Sequence, residues 1–145
     1  MTIYIIKNSC MYDNASHELK SKDGKRTIKL THMRSKCLNF ILTHAQELVI
    51  RKNHIAEALW EDRSTFISDA NLTQLLYLVR KDLRIFGIDN LFITIPRQGV
   101  QINENIEIKC LNSKHHFLQK PFLYYYAMIL FITIILYITL RFYLL

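Results

Sequence analysis

From Pro121 to Leu140 the chain reads PFLYYYAMILFITIILYITL, twenty positions without a charged residue. As a helix rising 1.5 Å per residue, such a run is about 30 Å long, the thickness of a bilayer's hydrocarbon core. A soluble protein can bury so apolar a helix only by wrapping it on every side. The residues before it carry enough apolar patterning to need a core of their own, so residues 121–141 are expected to form a transmembrane helix. Pro121 suits a first helical turn, where its missing N–H costs nothing. Tyr124, Tyr125 and Tyr126 at one end, with Tyr137 and Tyr143 near the other, match the aromatic belts of the two interfaces.

The flanks orient this segment. Lys109, Lys114, His115, His116 and Lys120 precede it, and only Arg141 follows, so the positive-inside rule puts the N-terminal part in the cytoplasm. Phe142, Tyr143, Leu144 and Leu145 are too few for an external sensor domain. The expected location is the inner, cytoplasmic membrane of a bacterium, crossed once. Residues 109–120 read as a basic juxtamembrane connector suited to anionic lipid. His115 and His116 admit a pH-sensing role, although helping Lys114 and Lys120 meet the headgroups accounts for them more simply.

Charge and cysteines narrow the rest. A formal charge of +7 calls for a partner made of phosphates, either nucleic acid or an anionic membrane surface. Cys10, Cys37 and Cys110 are odd in number and widely spaced, which fits reduced thiols rather than a disulfide framework or a metal site. The apolar run at the N-terminus, Ile3 to Ile6, is too short for a signal peptide. There is no phosphate loop, no paired carboxylates and no nucleophile constellation, so the expectation is a non-enzyme with neither catalytic residues, metal nor cofactor.

Residues 1–108 are expected to form one α+β domain. Ile3–Ile6, Cys10–Tyr12, His17–Lys20 and Thr27–Leu30 are candidate strands, with Asn14-Ala15-Ser16 and Asp23-Gly24 as turns. Thr31 is placed to cap a helix carrying Met33, Cys37, Leu38, Ile41 and Leu42 on one face. Asn53 opens a second helix, with Ile55, Ala58 and Leu59 on its inner face and Trp60 closing it. Ser68 or Asp69 caps a third, in which Leu72, Leu76, Val79 and Leu83 make a buried stripe and Gly87 supplies the stop. Phe92–Ile95 and Val100–Ile102 flank Pro96-Arg97-Gln98-Gly99, a hairpin in which Gly99 is free to take positive φ. The fold class is therefore a winged helix-turn-helix: an N-terminal antiparallel sheet, three helices and a C-terminal β-hairpin wing, plus one C-terminal transmembrane helix.

Leu30 to Ile102 resembles the winged helix domain of OmpR/PhoB-type regulators, and the membrane tail makes the chain similar to ToxR/CadC-like transmembrane transcriptional regulators. The resemblance rests on Leu30-Thr31, on Ile55 through Ala58-Leu59-Trp60-Glu61-Asp62, on Ile67 to Gln74 continuing through Leu78-Val79-Arg80-Lys81-Asp82-Leu83, and on Ile93 to Val100. It implies a one-component regulator without a receiver domain. The third helix would enter the major groove of duplex DNA and the wing would touch the neighbouring minor groove or backbone. With the leucine and valine stripe inward, Asn71, Thr73, Gln74, Tyr77, Lys81 and Arg84 face outward, and Arg80 flanks them. Gln74 is the first choice for a base edge. Asn71, Tyr77, Arg80 and Lys81 suit the sugar–phosphate backbone, and Arg97 and Gln98 complete the footprint at the wing tip.

Two departures leave a second function open. Val100 stands where the family's wing usually has an aromatic residue. Leu75 and Leu78 stand where polar or basic residues are common, which fits either a repacked core or a protein-facing surface. The alternative to a DNA reader is thus a winged helix interaction module, a membrane-bound accessory to another regulator. A shortened relative of a longer sensor is a third reading. Beyond DNA and lipid, the resemblance implies as partners a second copy of the chain, RNA polymerase through Arg63-Ser64-Thr65-Phe66, or a membrane co-regulator.

Overall fold

Strict alternation of inward and outward residues builds the first sheet. In the computed structural model, which describes residues 2–61 and 68–112, β1 (Thr2–Ile6), β2 (Cys10–Asp13), β3 (Glu18–Ser21) and β4 (Thr27–Lys29) form an antiparallel meander. The register aligns Tyr4 with Tyr12, Tyr12 with Leu19 and Leu19 with Ile28. These residues share the inner face because side chains two apart on a strand point the same way. The rings of Tyr4 and Tyr12 stack with centroids 6.2 Å apart.

Helix α1 (His32–Thr43) follows, then the short β5 (Ile50–Arg51), α2 (Lys52–Trp60) and α3 (Asp69–Arg84). Cys37, Leu38, Ile41 and Leu42 of α1 are buried as expected, and α1 packs on both α2 and α3. Thr31 and Ser68 occupy the N-cap positions of α1 and α3, but neither side chain makes a capping hydrogen bond. Helix α2 begins one residue earlier than Asn53 implied, because the Lys52 N–H is taken up by the Gln98 carbonyl at 2.9 Å, on the wing.

At the end of α3 the stop is Gly87 (φ 73°). The Gly87 N–H donates to the Arg84 carbonyl and the Ile88 N–H to the Leu83 carbonyl, the paired bonds of a Schellman motif. The wing strands β6 (Phe92–Ile95) and β7 (Gly99–Ile102) then join β5 in a three-stranded sheet of order β5-β7-β6.

The last described strand, β8 (Ile108–Asn112), pairs with β1 and closes the first sheet in the order β4-β3-β2-β1-β8. Residues 109–112 are the start of the connector in the sequence expectation. They continue the domain instead, since Ile106 and Ile108 pack against the core and β1 offers a free edge. One continuous core, from Tyr4 and Ile6 through Leu38, Ile41 and Ile55 to Phe92 and Val100, joins the two sheets across the helices. Among the described residues no helix is long and apolar enough to cross a membrane. The expected transmembrane segment 121–141, His115-His116 and the loop Arg63–Phe66 all lie outside the described residues.

Candidate nucleic-acid interface

Helix α3 has a dry face and a wet one. Leu72, Leu76, Val79 and Leu83 are buried as the spacing required, and Leu75 is buried with them. Leu78 is half-buried. Of the two readings left open for Leu75, the repacked core holds, and the residue widens the core stripe. Asp82 is also inward, paired with Arg34 of α1 at 3.0 Å. A carboxylate on the inner face of an otherwise apolar stripe is tolerable only with such a partner.

Asn71, Thr73, Gln74, Tyr77, Lys81 and Arg84 are exposed, in agreement with the periodicity. With about 3.6 residues per turn, Gln74, Tyr77 and Lys81 line the crest of the wet face. Thr73, Arg80 and Arg84 fall on one flank, and Asn71 falls on the other with Leu78. The Thr73 hydroxyl donates to the Asp69 carbonyl at 2.8 Å, so its proton is used within the helix.

The Arg80 Nε donates to the Phe92 carbonyl at 3.4 Å and its Nη2 to the Thr94 Oγ1 at 2.7 Å. The guanidinium carbon lies 4.4 Å from the centroid of the Phe92 ring. The side chain is half-buried against β6. Burial, followed by the charge of Arg84, lowers the guanidinium's pKa from its usual value.

At the wing tip the Gln98 N–H donates to the Ile95 carbonyl at 3.1 Å, closing the turn over Pro96 and Arg97. Gly99 takes positive φ as expected (157°), and the left-handed position of the turn itself falls on Arg97 (φ 63°). Pro96 followed by a positive-φ residue is the arrangement of a type II turn, where glycine is the usual occupant. Gly99 is required for a second reason as well: a Cβ there would sit 2.0 Å from the Ile50 carbonyl oxygen. The wing and β5 approach so closely that no side chain fits between them. Gln98 is exposed, with its carbonyl held by the Lys52 N–H.

Between α3 and the wing runs an open cleft of about 170 Å³, with Lys52, Asp69, Thr73, Thr94 and Arg97 among its lining residues. Lys52 and Asp69 pair across it at 2.5 Å. The fold thus brings Thr73 and Arg97 to one cleft, ties Arg80 to its rim through Thr94, and leaves Asn71 on the far flank. The Lys52–Asp69 pairing is not evident from the sequence, where Asp69 stands only as a candidate cap. Their juxtaposition joins two helix starts seventeen residues apart, which no local pattern announces.

An N-terminal sheet, three helices and a two-stranded wing define the fold class, a winged helix-turn-helix. The chain is similar to the DNA-binding domain of Escherichia coli CadC (TM-score 0.60, 15% identity, covering 74% of this chain and 96% of that one). It is also similar to the DNA-binding domain of the response regulator AdeR, solved in complex with an intercistronic region (TM-score 0.55, 16% identity, 66% and 94% covered). A third similar structure is the Klebsiella pneumoniae RstA DNA-binding domain in complex with the RstA box (TM-score 0.50, 18% identity, 65% and 90% covered). In sequence, the chain is 26% identical over 108 residues to the cholera toxin transcriptional activator of Vibrio cholerae, across 73% of this chain. It spans only 36% of that relative's length. No family model matches the sequence.

Proposed function

We propose that this chain is a membrane-anchored bacterial transcriptional regulator that binds duplex DNA through α3 and the wing. The observation that carries the reading is Arg97. An L-residue in the left-handed region costs about 1 kcal/mol or more, and glycine would occupy the position freely. Lys7, Asn8, His17 and Glu61 share the left-handed region, so it is the place of Arg97, exposed at the tip of the hairpin beside the cleft under α3, that points to use of its side chain. From there the guanidinium suits the narrow, negatively charged minor groove, while Gln74 on the crest of α3 suits adenine in the major groove. Tyr77, Lys81, Arg84, Thr73, Asn71 and Gln98 would serve the sugar–phosphate backbone around them. Similarity to domains solved on DNA, and to a transcriptional activator, supports the assignment.

The uncharged run 121–140 supports anchoring in the inner membrane, with the winged helix on the cytoplasmic side. A monomeric winged helix grips few base pairs, so two copies on paired half-sites are expected. The alternative of an interaction module that reads no DNA drew on Leu75 and Leu78 as a protein-facing pair. With Leu75 inside the core, that pair is not presented together.

The test is the salt dependence of duplex binding by the full chain in detergent, wild type against Gln74→Ala and Arg97→Ala. A preferred fragment, a steep salt slope and losses of about 1–3 kcal/mol on Gln74→Ala are expected. Weak binding indifferent to both substitutions would remove α3 and the wing as a reading surface. Extraction of the chain from cell membranes by alkaline carbonate, without detergent, would remove the anchor.

A further inference from the structure

The wing is held unevenly. Strand β7 is tied inward to β5 by the Ile50–Val100 and Arg51–Gly99 pairs and by the Lys52 N–H on the Gln98 carbonyl. Strand β6 is the outer strand, paired only with β7 within its sheet. Its polar tie to the recognition helix is Arg80, whose guanidinium reaches the Phe92 carbonyl and the Thr94 hydroxyl and lies over the Phe92 ring. Phe92 itself is buried, so the ring is a fixed platform.

We propose that Arg80 is a positioning residue that sets the angle between the wing and α3, and thereby the offset between the groove read by the helix and the one touched by Arg97. This rests on the DNA-binding reading above. Three properties make arginine the residue for the task. Its planar face stacks on the ring, its fork reaches two acceptors at once, and its charge survives partial burial. Lysine shares only the last of these in part, and a point charge on a flexible stem would leave β6 free to shift. Two of its five N–H donors are committed to these protein acceptors.

Arg80→Lys, Arg80→Ala, Thr94→Val and the double variant Arg80→Ala/Thr94→Val test this in the full chain. The probe is a duplex selected by the wild-type protein from a randomised pool. Each single change is expected to weaken binding roughly tenfold, the scale of one hydrogen bond to a charged group. The double variant should be no worse than Arg80→Ala alone, since both remove the same link. Footprints should lose minor-groove protection at the wing while keeping major-groove protection under α3. Without DNA, backbone amides of β6 should exchange faster in Arg80→Lys and Thr94→Val. Wild-type affinity in Arg80→Lys, or multiplying losses from Arg80 and Thr94, would make Arg80 a direct phosphate ligand and overturn the proposal. Unchanged amide exchange would overturn it too. If exchange rises but the wild type selects no duplex, the link is real and the DNA-binding reading is what fails.

Discussion

The two ends of this domain are built on opposite terms. On the N-terminal sheet, polar groups turn inward and satisfy one another. The Tyr12 hydroxyl meets the Ser35 hydroxyl at 2.7 Å and donates within reach of the Ser35 carbonyl at 2.9 Å, and His17 Nδ1 lies 2.6 Å from the same Ser35 hydroxyl. Ser35 is fully buried in α1, so this network fastens the sheet to the helices. On the wing side Tyr77, Lys81, Arg84, Arg97 and Gln98 turn outward, and the joint to β5 leaves no room for a methyl group at Gly99, while left-handed backbone occurs on both sides, at Lys7, Asn8 and His17 as well as at Arg97. The first region spends its polar residues on cohesion and the second exposes them. Exposed side chains of this kind keep donors and acceptors free for water or a partner.

That contrast can be broken at Gly99. Gly99→Ala places a Cβ against the Ile50 carbonyl and should cost about 3 kcal/mol in urea unfolding. A loss that large on the wing side would show that its exposed face stands on a rigid joint, and a loss near zero would mean the joint gives way. Next comes Arg34→Ala, which strands the inward Asp82 carboxylate and should cost about 2 kcal/mol. Arg34→Ala/Asp82→Asn should recover part of it.

Alkaline pH sharpens the comparison from the sheet side. Burial pushes the thiols of Cys10 and Cys37 from an ordinary 9.0 up to about 12, and burial likewise pushes the Tyr12 hydroxyl from 10.0 up to about 12. These groups stay neutral in the fold while the unfolded chain ionises, so their contribution is complete below pH 9.0 and is lost as pH climbs toward 12. Unfolding midpoints should therefore fall above about pH 9, and Cys10→Ala/Cys37→Ala should flatten that fall. The exposed Cys110 should react with iodoacetamide in the native protein while Cys10 and Cys37 do not. The smallest effect is expected at Arg97→Gly. It should raise stability by about 0.5 kcal/mol as strain is relieved, while duplex binding drops. Opposite signs in one substitution would separate the two regions most cleanly.

What could be read in advance follows the same division. The meander was legible because short strand-forming runs stand between turn signals at Asn14-Ala15-Ser16 and Asp23-Gly24. The α3 stripe was legible because four residues repeat at helical spacing, and Gly87 because a stop there needs left-handed backbone. Strand β8 was missed although Ile106, Ile108 and Cys110 alternate with Glu107 and Lys109, because that short run sits in a polar stretch and its pairing partner begins the chain. The exposed crest of α3 was visible from periodicity. The inward Asp82 and the turned-in Arg80 were not, because their partners Arg34 and Thr94 lie 48 and 14 residues away. Nor could the turn chemistry show that Arg97, with Gly99 two positions on, would take the left-handed place.

The position of β8 has a mechanical meaning. The chain leaves the described domain at Asn112, which lies opposite Thr2 on the border of the five-stranded sheet. Tension entering through that exit is borne first by the last rung of the β1–β8 ladder. Because the two strands run antiparallel, a pull directed away from β1 opens the rungs one after another, like a seam. Force on the tail would thus be absorbed at the hem of the sheet, leaving the wing and its helix in register until β8 has come away.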